Sequence, residues 1–83
     1  MDKISLLLQT LDCSYRINNV CYDKNIVSFT TYISHIDLYK HILVKFGLQD
    51  DVVEKWHHEY ERTVIYVNIN RLLVDEQFDM LLA

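Results

Sequence analysis

The densest group of side chains able to do chemistry is His57-His58-Glu59, flanked by Glu54 and Glu61. Imidazole and carboxylate together serve metal binding or proton transfer. On a helix, adjacent residues diverge by roughly 100°, so His57 and His58 do not converge on one ion. Each instead finds a carboxylate four residues away, His57 with Glu61 and His58 with Glu54, which is the spacing of a surface ion pair. A zinc site needs three or four ligands, and the other donors, Cys13, Cys21, His35 and His41, are distant in the chain. No metal and no cofactor is expected.

Catalytic chemistry finds no better footing. A single glycine excludes a glycine-rich phosphate loop. The serines, histidines and aspartates show no spacing that selects a triad, and no nucleophile motif is present. A chain of 83 residues also has little room for a large concave pocket. The expectation is a protein that is not an enzyme. Cys13 and Cys21, with seven residues between them, fit neither CxxC nor zinc-knuckle spacing. They are expected to be half-buried thiols packing as small hydrophobes in a reducing compartment.

What remains is recognition. Residues 1–49 hold five bases and four acids, whereas residues 50–83 hold three bases and eight acids, a local balance of −5 within a net charge of −4. That sign repels phosphate backbones and suits a basic protein surface. Six tyrosines and one tryptophan exceed what a core this small needs with every hydroxyl satisfied. Such residues dominate protein interfaces. Trp56 and Tyr66 are expected in the core. Asp50, Asp51, Glu54, Glu59, Tyr60 and Glu61, with exposed tyrosines of a hairpin, form the expected partner-binding set.

The elements that must carry these residues follow from the apolar pattern. The chain is one domain, 1–83, without a linker, since it has one glycine and no proline. Asp2 caps a first helix with Ile4, Leu7, Leu8 and Leu11 on one stripe and Leu6 off it, ending near Asp12 to Ser14. Tyr15–Tyr22 and Ile26–Ile33 read as a hairpin around Asp23-Lys24-Asn25, with Asn25 suited to a left-handed turn conformation. Asn18-Asn19 marks an edge, a bulge or a shifted boundary in the first of these strands.

Ser34, with Asp37 three residues on, opens a second helix that buries Leu38, Ile42, Leu43 and Phe46 and exposes Lys40 and Lys45. Gly47 ends it, and Leu48 folds back on Leu43 in a Schellman ending. Val52, Val53, Trp56 and Tyr60 have helical spacing, and Asp51 to Lys55 is a favourable i, i+4 pair, so a third helix is expected there; a strand over Val52 to His58 is the alternative, and it fits the alternation poorly. Thr63–Ile69 is a strand with apolar residues on both faces, expected inside the sheet, covered on both sides and paired with the hairpin. A last helix runs from about Asp75 to Leu82 with Phe78, Leu81 and Leu82 on its apolar side and Asp75 as cap, and Arg71 to Val74 could extend either this helix or the strand before it. The order α-β-β-α-α-β-α predicts an α+β fold, a small three-stranded, mainly antiparallel sheet packed with about four helices.

The stretch around Gly47 resembles a helix-turn-helix, with Ile42, Phe46, Leu48, Val53 and Trp56 in its apolar positions and Gly47 at its turn. That resemblance implies a DNA-binding regulator using Gln49 and Lys55. Two features depart from it: Leu43 stands where the family has a small residue, and Asp50, Asp51 and Glu54 lie on the face that would enter the groove. Nucleic acid is therefore disfavoured as a partner. In size and charge, though in no motif, the chain looks like small anti-defence proteins of phages and mobile elements, anti-CRISPR proteins among them. The first expectation is an acidic inhibitor or adaptor that masks a partner's basic, nucleic-acid-binding surface. A self-assembling subunit is the third reading, since 51% hydrophobic residues leave apolar surface to cover, as in a homodimer. No apolar run approaches the roughly 18 residues of a membrane span and the N-terminus lacks a signal-peptide pattern, so a cytoplasmic location and no membrane contact are expected.

Overall fold

The computed structural model describes residues 2–14, 16–32, 34, 36–56 and 62–74, with the backbone alone at 36 and 54–56. Its elements are α1 (Lys3–Asp12), β1 (Ile17–Asp23), β2 (Ile26–Tyr32), α2 (Ile36–Lys45), β3 (Val52–Trp56) and β4 (Arg62–Asn68). A further helix, α3, opens at residue 70 and continues through 74. The fold is α+β, with one antiparallel sheet in the order β1-β2-β4-β3.

α1 begins where the Asp2 carboxylate accepts from the Ser5 amide, satisfying one of the unpaired donors of the first turn. Ile4, Leu7 and Leu11 are buried on its inner stripe while Leu6 is exposed. Near its end the Thr10 and Ser14 hydroxyls bond the carbonyls of Leu6 and Thr10, four residues back.

The hairpin follows. Asp23 opposes Ile26, leaving Lys24-Asn25 as the turn. The left-handed residue is Lys24, at φ 56°, and not Asn25 as the sequence reading had it. The expected irregularity at Asn18-Asn19 is a bulge: register shifts between Asn18 and Cys21, and Asn19 takes φ 56°. Asparagine tolerates that conformation, and β1 is an edge strand, where bulges concentrate.

β2 and β4 are the central strands. Val27, Phe29 and Thr31 of β2 stand opposite Val67, Ile65 and Thr63 of β4, and all six are buried. Val27, Phe29, Ile65 and Val67 meet Leu7 and Leu11 of α1 and Tyr39, Ile42 and Leu43 of α2 in one core, where Phe29 and Tyr39 stack edge to face at 5.8 Å. Among the described residues the buried tyrosine is thus Tyr39, whereas Tyr66, expected in the core, is half-buried. Val64 and Tyr66, at the alternate positions, are half-buried, so β4 is interior, with one face buried and the other half-covered.

The main correction concerns residues 52–56. They form strand β3, paired with β4 from Val52↔Val67 to Trp56↔Thr63, where a helix was expected. The sheet has four strands, not three, and the helix-turn-helix likeness fails at its second helix. Val52 and Val53 are β-branched and fit a pleated surface, and pairing along β4 outweighs the helical spacing of Val52, Val53 and Trp56. The i, i+4 spacing of Asp51 and Lys55 belongs to a helix, which residues 52–56 do not form. Arg71 to Val74, which the sequence allowed to either neighbour, belong to α3, and the Asn68 side chain accepts from the Asn70 amide where the chain turns into that helix. Residues 75–83, with Phe78, Leu81 and Leu82, lie outside the described residues, as do Tyr15, Ile33, His35 and 57–61.

Candidate functional site

The stretch from α2 to β3 positions the acidic residues. The amides of Gly47 and Leu48 donate to the carbonyls of Val44 and Leu43, the two bonds of a Schellman ending, with Gly47 at φ 71°. Leu48 is buried against the core with Leu43, as the sequence implied. The next residues, Gln49 and Asp50, are exposed. The Asp51 amide then donates to the Leu48 carbonyl at 3.0 Å, and the Asp51 carbonyl accepts from Asn68 at 2.9 Å.

Asp50 and Asp51 are neighbours with different roles. Asp50 faces solvent at the turn. The Asp51 carboxylate accepts from Arg71 Nε at 3.0 Å, tying the start of β3 to α3. Glu54 occupies the β3 position opposite Ile65, while Val53 and Lys55 hold the alternate positions opposite Tyr66 and Val64. Glu59, Tyr60 and Glu61 lie outside the described residues, as does the His57-His58 pair. The structure thus brings Asp50 and Asp51 together and sets Glu54 on the strand that follows, rather than on one helical face with them.

Of the hairpin tyrosines, Tyr22 and Tyr32 are exposed, and the Arg62 guanidinium lies 5.6 Å from the Tyr32 ring centroid. Cys13 and Cys21 are both free and exposed, which corrects the expectation of half-buried thiols. Cys13 sits at the C-cap of α1 and Cys21 just after the bulge of an edge strand, and neither place offers cover. Among the described residues no group of three His, Cys, Asp or Glu is placed to hold a metal ion. No described helix is long and apolar enough to cross a membrane.

The surface hollows are shallow. One of about 410 Å³ lies between Asp51, Asn68, Asn70, Arg71 and Val74. A second, about 350 Å³, is flanked by Leu8, Asp12, Val20 and Tyr22. A third, about 370 Å³, lies over Asp37, Lys40, His41 and Val44 of α2. A fourth, about 240 Å³, lies between α2 and β3 and is lined by Tyr39, Lys40, Leu43, Val44, Gln49 and Val52.

Sequence reasoning missed three residues that shape this surface. Val44 and Val53 are exposed apolar side chains at 57% and 65%. Val44 was detectable, since it lies off the Leu38–Ile42–Phe46 stripe of α2. Val53 was hidden by the helical reading, and Arg71 carries no local signal for its distant partner Asp51. No protein-family model, no curated protein and no solved structure matches the chain.

Proposed function

We propose that this chain is a non-enzymatic protein-binding module, an inhibitor or adaptor that acts by masking a basic surface of its partner. The observation that carries the reading is the solvent-facing Asp50 at the head of β3, at the start of the segment holding eight acids and three bases. Surface carboxylates of this kind steer association with a basic partner and set its salt dependence. Exposed Tyr22 and Tyr32 supply rigid amphipathic contact area of the sort that anchors interfaces. Glu59, Tyr60 and Glu61 extend the proposed set, and Glu54 stands beside it in β3. A partner surface built for nucleic-acid phosphates fits the charge, and an anti-defence protein of a phage or mobile element would work in this way.

Immobilised chain and an Asp50→Lys variant, presented side by side to host lysates, test the reading. The expected result is a protein with a basic surface retained by the native chain and depleted on D50K. Equal retention on both, or retention of nucleic acid alone, sinks it.

A self-assembling subunit is the second reading, favoured by the exposure of Val53 on an edge strand. Light scattering at high protein concentration decides it, because a strict monomer is incompatible with self-assembly.

A further inference from the structure

Between α1 and β1 lies the hollow of about 350 Å³ lined by Leu8, Gln9, Asp12, Cys13, Val20 and Tyr22. Tyr22 stands opposite buried Val27 in the β1–β2 ladder, so its ring is on the helix side of the sheet. Leu8 and Val20 are half-buried, whereas Tyr22 is 44% exposed. The hollow thus has aliphatic walls and an aromatic ring that solvent still reaches. Its charge comes from Asp12, the last residue of α1, and the last turn of that helix holds no basic residue. A carboxylate there adds to the negative end of the helix dipole, where a cation is the favoured companion. Among the described residues nothing donates to that exposed carboxylate.

We infer that this hollow takes an arginine side chain of a partner protein. The methylene stem of arginine covers Leu8 and Val20, as long cationic side chains cover apolar surface generally. The guanidinium donates to the Asp12 carboxylate and lays its plane on the Tyr22 ring. The chain makes one contact of this kind within itself, with the Arg62 guanidinium 5.6 Å from the Tyr32 ring centroid. Lysine fits less well, because its ammonium is a compact, strongly hydrated charge that neither stacks nor bonds as a fork. The volume is near the lower end of the roughly 300–1,000 Å³ usual for ligand pockets, which suits one long side chain better than a large cofactor.

The proposal rests on the protein-binding reading and names the partner's chemistry at a second place, since β1 and β3 are opposite ends of the strand order and Asp50 leads into β3. The test is titration of the full chain, isotope-labelled, with N-acetyl-arginine N-methylamide, with its neutral citrulline counterpart and with its lysine counterpart. The expected result is saturable shifts at the Leu8 and Val20 methyls, the Tyr22 ring and the Asp12 amide, strongest with arginine, weaker with lysine and absent with citrulline. Asp12→Asn and Tyr22→Val should each weaken arginine binding about twofold to fivefold. Both positions are exposed, so both variants are expected to keep the fold. No shift at these residues with millimolar arginine derivative overturns the inference, as does an equal response to citrulline or lysine, or an arginine affinity unchanged in D12N. D50K should leave arginine binding intact. Loss of partner capture by D50K without arginine binding removes the hollow and keeps the acidic turn, whereas arginine binding with equal capture by both chains does the reverse.

Discussion

The Leu48 amide donates to the Leu43 carbonyl at 3.0 Å across the turn made by Gly47, and both leucines are buried. This closure ends α2 and aims the chain into β3, so it sets where the acidic turn stands. A Cβ at Gly47 would meet nothing within 4 Å, so the need for glycine is purely conformational, from φ 71°. Gly47→Ala is expected to cost about 1–2 kcal/mol, the penalty of a left-handed non-glycine residue. Urea denaturation should show a lower midpoint with an unchanged slope. An unchanged midpoint would mean that the turn relaxes into another conformation.

Lys24 presents the converse case. It holds φ 56° at the hairpin turn with a side chain attached. Lys24→Gly relieves that strain at some cost in unfolded-chain entropy, for a net gain of roughly 0.5–1 kcal/mol. Thermal unfolding measures it, and a fall in Tm would contradict the assigned turn.

Thr63 is wholly buried, and its hydroxyl has no hydrogen-bond partner among the described residues. An unsatisfied buried polar group costs about 1–3 kcal/mol. Thr63→Val keeps the branched shape and is expected to stabilise by about 1 kcal/mol. Its cross-strand neighbour Thr31 donates to the Arg16 carbonyl, so Thr31→Val should gain less. Equal gains at the two sites would contradict the difference in their environments.

The Arg71–Asp51 ion pair is open to solvent, with Arg71 60% exposed. A double-mutant cycle on the two residues should return a coupling of about 0.2–1 kcal/mol that shrinks with added salt. A coupling well above that range would point to a buried network.

Local chemistry made much of this fold legible from sequence. Asp2 before a stripe of leucines marks the first cap, Gly47 before Leu48 marks the Schellman ending, and Asn18-Asn19 marks an irregularity with a bulge among its three readings. Each depends only on residues within one turn of the chain. β3 was misread because Val52, Val53 and Trp56 satisfy helical spacing as well as strand propensity. The deciding contacts run to Val67 and Thr63, at least seven residues away, and a local pattern does not contain them. The candidate site suffered from the same error: Asp50, Asp51 and Glu54 share a face only if a helix carries them. Cys13 and Cys21 were expected to be half-buried on residue type alone, whereas exposure depends on which edge and which cap they occupy.

That exposure is itself testable. Both thiols should react with a water-soluble disulfide reagent in the native protein as completely as in urea. Protection of either would place it under cover.

The central claim is that the acidic turn at the head of β3 docks on a basic protein surface. Its most direct test is the affinity of a captured partner for the native chain and for D50K, each at low and high salt. The account predicts that the native complex weakens steeply as salt rises, and that D50K binds several-fold to about tenfold more weakly at low salt with a flatter salt dependence. An affinity indifferent both to salt and to Asp50→Lys would contradict it.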